Sequence, residues 1–172
     1  LTLQTLTPDS GPILGGTEVL VLGSNLVASA QPLCFFSSVS VAASFRHDVA
    51  GFRCLSPPQA AVGVPLSVSL NGGVDQSSSL PFVYYVVPQL ISVRPSTLLS
   101  TGDQTVTVIG TSFLSSRFAT CLFSSVKSAR FTAVATVVSK EELQCTSPPM
   151  PAGAYQLAVA NNGQQFTVCC VG

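Results

Sequence analysis

Cysteine is the most chemically versatile residue type in this 172-residue chain, which contains six of them. They fall into two spaced pairs and one adjacent pair: Cys34 and Cys54, Cys121 and Cys145, and Cys169 and Cys170. Six cysteines in a small chain rich in strand-forming residues indicate disulfides and an oxidising compartment. A zinc site is one alternative, which the single histidine and the lack of any Cys-x-x-Cys pair disfavour. Reduced cysteines in the core are the other alternative.

The two spaced pairs occupy equivalent positions in an internal repeat of the chain. This equivalence predicts the disulfides Cys34–Cys54 and Cys121–Cys145. Each would close a loop of about twenty residues, which is expected to stabilise a small domain by roughly 3 kcal/mol.

The adjacent Cys169 and Cys170 have no counterpart in the first copy of the repeat, where Tyr85 and Val86 stand. Neighbouring side chains of a strand point to opposite faces, so these two cysteines are not expected to bond to each other. We expect one core cysteine and one exposed cysteine whose partner lies outside this sequence. The sharper hypothesis is a link to a following module or to another chain.

Residues suited to acid–base catalysis are sparse. His47 and Asp48 are neighbours, but they lie in the variable stretch between two cysteines, which is typical of a solvent-exposed loop. Glu141 and Glu142 would face opposite ways on a strand and would make a poor acid–base pair. The acidic residues never cluster as they do in a calcium loop. We therefore expect no catalytic residue, no metal site and no cofactor.

The charge distribution excludes several classes of partner. Seven basic residues balance seven acidic ones, and the basic residues are scattered without forming a run. Binding to nucleic acid requires a cationic patch, and binding to a membrane surface requires a polybasic segment. Only 8% of the residues are charged, against roughly 25% in ordinary soluble domains. Either Ser and Thr coat the strands, or neighbouring subunits or modules cover much of the surface.

The sequence contains no apolar stretch of about 18 residues, so no direct membrane insertion is expected in this segment. Leu1–Gln4 resembles a strand rather than the charged start of a signal peptide. We expect the sequence to be a mature or excised part of a longer protein. It lacks an Asn-x-Ser/Thr sequon, which leaves the Ser/Pro-rich turns as candidate sites for O-linked glycans.

The chain repeats itself once. Gly23 and Gly110 are 87 positions apart, and so are Cys34 and Cys121. The later motifs Phe52–Pro58 and Leu143–Pro149 are 91 positions apart, which indicates a four-residue insertion between the cysteines of the second copy. So many matches in one order indicate a tandem duplication.

Each copy alternates short apolar runs with turn residues, and none of its segments shows helical spacing with caps. Asn71-Gly72 and Asn162-Gly163 predict hairpin turns, because both residue types tolerate positive φ. Strands about ten residues apart predict a β-sandwich. The prediction is an all-β chain of two tandem immunoglobulin-like sandwiches of the E-set type, comprising residues 1–87 and 88–172, with a very short linker.

The order of these motifs resembles the IPT/TIG family of immunoglobulin-like domains, over nearly the whole chain and twice. In the first copy the shared motifs are Pro8, Gly15-Gly16-Thr17, Gly23–Leu26, Cys34–Phe36, Cys54–Pro58 and Asn71-Gly72. In the second copy they are Pro95, Gly102, Gly110–Phe113, Cys121–Phe123, Cys145–Pro149 and Asn162-Gly163. The second copy departs at its first turn, where Thr101-Gly102-Asp103 replaces Gly-Gly-Thr. The resemblance implies extracellular parts of plexin-like and Met-like receptors and of other surface proteins, and no catalytic site. It also implies intracellular relatives in DNA-binding transcription factors, which the charge distribution disfavours here, and relatives that accompany carbohydrate-active enzymes.

These observations predict a non-catalytic structural or adhesion module at the cell surface or outside the cell, within a multi-module or filament-forming protein. Its partners would be other protein chains or neighbouring modules of the same protein. The alternative is a ligand-binding or spacer segment of a receptor ectodomain. An accessory module of a carbohydrate-active enzyme would need an exposed aromatic strip, which the sequence does not show.

Overall fold

The computed structural model describes residues 1–125 and 129–169, and within these ranges it contains fifteen strands and no helix. The chain divides into two compact units, Leu1–Val86 (unit 1) and Val87–Gly172 (unit 2). This division lies one residue from the predicted boundary. Since the described part of the chain has no helix, it also has no helix long and apolar enough to cross a membrane.

Unit 1 contains eight strands: β1 (Thr2–Thr7), β2 (Ser10–Pro12), β3 (Glu18–Ser24), β4 (Leu33–Phe36), β5 (Val39–Arg46), β6 (Gly51–Leu55), β7 (Gly63–Ser69) and β8 (Leu80–Tyr85). Unit 2 contains seven: β9 (Gln89–Arg94), β10 (Thr105–Thr111), β11 (Thr120–Ser125), β12 (Arg130–Val137), β13 (Glu142–Thr146), β14 (Tyr155–Ala160) and β15 (Thr167–Val168). The neighbour order is β1-β3-β6-β5-β4-β7-β8-β2 in unit 1 and β15-β14-β11-β12-β13-β10-β9 in unit 2.

One strand in each unit passes from one layer of the sandwich to the other. In unit 1, residues 39–42 of β5 pair with β4, and residues 43–46 pair with β6. In unit 2, residues 130–134 of β12 pair with β11, and residues 135–137 pair with β13. Each unit is therefore a two-layer immunoglobulin-like sandwich, which confirms the predicted fold.

Alternating side chains fill the space between the layers. In β3, Val19 and Val21 are fully buried while Glu18, Leu20 and Leu22 are partly exposed, as expected for a strand with one face on a core. The core of unit 1 draws on both layers, from β1, β3 and β6 on one side and from β4, β7 and β8 on the other. The core of unit 2 is built in the same way around Val106, Val108 and Val159.

The four-residue insertion predicted between the cysteines of the second copy consists of two changes. Cys34 faces Val41, seven positions later, whereas Cys121 faces Ala133, twelve positions later. The hairpin between β11 and β12 is thus five residues longer than its counterpart. The next connection is one residue shorter, because Ala43 faces Cys54 at a separation of eleven and Ala135 faces Cys145 at ten.

The Asn-Gly turns also differ from expectation. Gly72 and Gly163 both have positive φ, at 70° and 74°. Neither pair forms a tight two-residue hairpin, however, since β7 ends at Ser69 and β8 begins only at Leu80. In unit 1, Asn71 instead folds the start of a longer loop, donating from Nδ2 to an Asp75 carboxylate oxygen at 2.9 Å.

Candidate functional site

A turn before the third strand of unit 1 is fastened to the segment after β6. Gly15 and Gly16 both adopt positive φ, at 74° and 79°. The Gly16 N–H donates to the Ser56 carbonyl at 2.8 Å, the Ser56 N–H donates to the Thr17 carbonyl at 2.9 Å, and the Thr17 N–H donates to Ser56 Oγ at 3.0 Å. We call this arrangement the glycine–serine clamp.

Unit 2 repeats the clamp with the same bonds although its sequence differs. Asp103 takes the place of Gly16 and has φ 59°, and its N–H donates to the Ser147 carbonyl at 2.8 Å. The Ser147 N–H donates to the Gln104 carbonyl at 2.8 Å, and the Gln104 N–H donates to Ser147 Oγ at 3.2 Å. The departure from Gly-Gly-Thr therefore leaves the turn unchanged, because Asp tolerates the left-handed region better than most residues.

Gly15 and Gly16 of the first clamp are restricted to glycine by different physical causes. A Cβ on Gly15 would lie 2.6 Å from the Ser56 carbonyl oxygen, and one on Gly102 would lie 2.6 Å from the Pro149 nitrogen. A Cβ on Gly16 would meet nothing within 4 Å. Position 15 therefore excludes side chains by contact with backbone, while position 16 only requires positive φ.

Each unit has a buried disulfide between its layers. Cys34 on β4 is bonded to Cys54 on β6 with a Cα–Cα distance of 6.3 Å, and Cys121 on β11 is bonded to Cys145 on β13 at 6.5 Å. In unit 1 the bond lies beside the place where β5 changes layers, because Cys34 faces Val41 and Cys54 faces Ala43.

Cys169 is also buried and disulfide-bonded. Cys170 lies outside the described residues. The hypothesis that Cys169 or Cys170 forms a link between modules or chains therefore stays a prediction.

The residues considered for acid–base chemistry lie apart from one another. His47 is exposed and packs edge-on against the Phe45 ring, with centroids 4.9 Å apart. The Arg46 guanidinium hydrogen-bonds the exposed Asp48 carboxylate at 2.7 Å and lowers the pKa of that carboxyl below its usual value. The Glu141 carboxylate accepts a hydrogen bond from Ser139 Oγ, and the Glu142 carboxylate accepts one from Gln144 Nε2. Among the described residues, no three His, Cys, Asp or Glu side chains converge as metal ligands would.

Unit 2 has a cleft of about 830 Å³, which the sequence pattern does not predict. Its walls include Ile91 and Val93 of β9, the segment 95–100, and Tyr155–Leu157 of β14, and Val106 and Phe123 also line it. None of its lining residues is charged.

Comparisons with known proteins agree with this architecture. The model of the IPT/TIG domain family matches residues 1–85 and again residues 88–170. Among curated proteins, plexin A3 of Danio rerio is 26% identical over 114 residues, which cover 66% of this chain and 6% of the relative. Plexin-A4 of Mus musculus is 28% identical over 114 residues, covering 64% and 6%. This chain therefore spans only a small part of the length of these relatives.

Solved structures of plexin A4 have a similar fold. The full extracellular region of plexin A4, domains 1 to 10, superimposes with a TM-score of 0.63 at 20% identity, covering 95% of this chain and 15% of that one. A second structure, with domains 1 to 8, gives 0.55 at 16% identity, covering 98% and 17%. With the family model matched over both halves, the chain belongs to the IPT/TIG family and consists of two consecutive IPT/TIG domains.

Proposed function

We propose that this chain is a non-catalytic spacer in the ectodomain of a larger cell-surface receptor. The observation that carries the proposal is the duplication of one architecture: two sandwiches with the same buried disulfide and the same clamp follow each other almost without a linker. IPT/TIG domains of this type are immunoglobulin-like modules. The family, the plexin similarity and the disulfides indicate an extracellular or cell-surface location.

Resistance to local unfolding is the property that a spacer requires. A disulfide that closes a loop of 20 or 24 residues stabilises a domain by roughly 3 kcal/mol, mainly by restricting the unfolded chain. The clamp adds backbone bonds at a turn that would otherwise be free to open. Both devices occur in both units, which suits a segment that keeps neighbouring domains apart.

The partners in this proposal are neighbouring domains of the same polypeptide and other protein chains. The surface favours protein over phosphate-rich partners. The described residues include two ion pairs, Arg46 with Asp48 and Arg53 with Glu18, in which an acidic side chain offsets the basic charge. Candidate O-linked glycans at the Ser/Pro-rich turns remain a prediction.

Analytical ultracentrifugation of the oxidised chain tests the spacer proposal. The expected result is a monomer whose sedimentation is independent of concentration, together with peptide mapping that finds Cys34 bonded to Cys54 and Cys121 to Cys145. Self-association into long oligomers under these conditions would contradict the spacer role. Mapping that finds the four cysteines reduced would contradict the proposed disulfides.

A module of a filament or adhesive assembly is the second candidate. The observation that favours it is a set of large apolar side chains exposed on a chain with few charges: Leu14, Val74 and Val134 are 72%, 81% and 78% exposed. Single exposed apolar residues are normal on a monomer, but exposed apolar residues are also expected where another subunit covers the surface. Triple substitution of these three residues by serine should abolish oligomers if the assembly forms through them, and should leave a monomeric spacer unaffected.

We also propose residues 1–87 and 88–172 as the folding domains. Each fragment, expressed alone and oxidised, should unfold cooperatively with its own disulfide intact. Loss of cooperative unfolding in residues 1–87 would show that the first domain needs its neighbour.

A further inference from the structure

Each unit carries an Asn-Gly pair shortly after one of its strands, Asn71-Gly72 after β7 and Asn162-Gly163 after β14. In this dipeptide the glycine nitrogen can attack the asparagine Cγ, because glycine has no Cβ to hinder the approach. A bond forms between that nitrogen and Cγ, which closes a cyclic succinimide. The Cγ–Nδ2 bond breaks, and ammonia leaves with the proton of the glycine nitrogen. Water then opens the ring at either carbonyl, which gives aspartate or isoaspartate.

The Asn71 side chain is polarised for this attack. Ser69 Oγ donates to Asn71 Oδ1 at 2.9 Å, and the Asp75 N–H donates to the same oxygen at 3.0 Å. Negative charge develops on this oxygen as the Gly72 nitrogen approaches Cγ, and two donors already aimed at it stabilise that charge. Asn71 and Gly72 are both exposed, so water has access to the ring that would form.

One hydrogen bond opposes the attack in unit 1. The Gly72 N–H donates to the Gln31 carbonyl at 3.0 Å, which occupies the nitrogen that must react. This bond belongs to an isolated bridge between Gln31 and Asn71, outside the named strands. An opening confined to the exposed loop therefore frees the nitrogen, and openings of this kind cost little free energy.

The second Asn-Gly pair has similar donors but a different environment. The N–H groups of residues 164 and 165 donate to Asn162 Oδ1 at 3.1 and 3.2 Å, yet the Asn162 side chain is only 2% exposed. The preceding Asn161 is fully buried and anchors the backbone, since its amide bonds the Leu114 N–H at 3.1 Å and the Ser112 carbonyl at 3.0 Å. Ring closure at Asn162 would have to break buried hydrogen bonds, which costs more than opening an exposed loop.

The Asn71 amide also holds the loop that contains it. Its Nδ2 donates to the Asp75 carboxylate at 2.9 Å. Further along the loop, Ser77 Oγ and Ser78 Oγ accept hydrogen bonds from backbone N–H groups of β7 and β1, each at 2.9 Å. We call residues 71–78 the strap. Conversion of Asn71 replaces its donating NH2 by a carboxylate oxygen, so that an attractive contact with Asp75 becomes a repulsive one.

We propose that Asn71 is a site of spontaneous, succinimide-mediated conversion to aspartate and isoaspartate, and that this modification loosens the strap. The reaction needs only water and releases only ammonia. Asn162 is protected by its burial, so the modification is confined to unit 1. The proposal goes beyond the spacer role and does not depend on it.

Peptide mapping that separates Asn, Asp and isoAsp tests the site, using the oxidised chain incubated in mildly alkaline buffer. We expect Asn71 to convert about 100-fold faster than Asn162 in the folded chain. In the reduced chain unfolded in urea, the two sites should convert at similar rates, because the protection of Asn162 is lost. Similar rates in the folded chain, or an equally large difference in urea, would overturn the proposal.

Asn71→Gln is the matched control for the chemistry. It keeps a side-chain amide, but attack by the Gly72 nitrogen would have to close a larger, less favoured ring. We expect no conversion at position 71 in this variant and an unchanged rate at Asn162. Conversion of the glutamine as fast as that of Asn71 would indicate direct hydrolysis of the amide and would overturn the succinimide route.

Amide exchange in Asn71→Asp, which carries the aspartate product, tests the effect on the strap. The Ser77 N–H, which donates to the Val68 carbonyl at 2.8 Å, should exchange about tenfold faster than in the unmodified chain. The double variant Asn71→Asp/Asp75→Asn pairs a carboxylate with an amide again and should restore slow exchange. Unchanged exchange in Asn71→Asp, or no recovery in the double variant, would overturn the loosening of the strap.

Discussion

The two units contain the same segment in two different environments. In unit 1, Pro8 and Ser10–Pro12 are buried, whereas in unit 2 their counterparts Pro95, Thr97 and Leu99 are exposed. The difference does not arise within the segment, since the clamp that follows it has the same hydrogen bonds in both units. In unit 1 the segment pairs with β8, whereas residues 97–99 pair with no strand among the residues that the structure describes. The burial of a sandwich edge thus depends on the strand that pairs with it.

The largest expected contrast concerns equivalent phenylalanines. Phe36→Ala should destabilise unit 1 by about 4 kcal/mol, because the fully buried ring packs on Phe82 and Tyr84. Phe123→Ala should destabilise unit 2 by only about 2 kcal/mol, because its buried ring lines the cleft and packs on no other aromatic ring among the described residues. Urea unfolding followed by residue-resolved NMR measures both values. Equal losses would mean that the cleft does not loosen the core of unit 2.

Removal of the disulfides should affect the two units similarly. The pairs Cys34→Ala/Cys54→Ala and Cys121→Ala/Cys145→Ala open loops of 20 and 24 residues, lengths whose entropies differ little. Each double variant should lose roughly 3 kcal/mol in its own unit. Thermal unfolding monitored by calorimetry provides the measurement. A much smaller loss of stability in unit 2 would contradict the expectation that the length of the closed loop sets the stabilisation by each disulfide.

The clamp predicts a contrast between neighbouring glycines. Gly15→Ala and Gly102→Ala should each cost about 3 kcal/mol, because the added Cβ meets backbone atoms 2.6 Å away in addition to the positive φ. Gly16→Ala should cost only about 1 kcal/mol, the cost of positive φ alone. Denaturant midpoints distinguish the two classes. Asp103→Gly is the matched control and should be neutral or slightly stabilising, since it restores the residue found at position 16.

The smallest contrast appears at high pH. Burial raises the pKa of Tyr84 from 10.0 to about 12 and also raises the pKa of Tyr85. The unfolded state ionises these phenols first, so their contribution to stability is complete below pH 10 and is lost as the pH rises toward 12. Unit 2 has no tyrosine at the matching positions. Unit 1 should therefore lose stability relative to unit 2 over this range, and Tyr84→Phe should reduce the loss, as alkaline titrations of thermal stability can measure.

The family, the sandwich and the strand pattern follow from the sequence because each depends on local chemistry repeated twice. Val19 and Val21 alternate with half-exposed neighbours, and Pro57-Pro58 cannot continue a ladder. Aligning the two copies of the repeat is enough to show that the pairs Cys34–Cys54 and Cys121–Cys145 are equivalent. The glycines at positions 15 and 102 likewise indicate a turn with positive φ, a backbone conformation that few other residues adopt.

Tertiary structure decided the features that depend on pairing between distant strands. The sequence shows only that the second copy has four extra residues between its cysteines. The register of β12 is needed to show that the hairpin before it is five residues longer and the connection after it one residue shorter than in unit 1. The Asn-Gly turns tolerate positive φ locally, but the strand ends set the length of their loops. The cleft of unit 2 is lined by residues of β9, the segment 95–100 and β14, which are distant in the sequence and come together only in the folded sandwich.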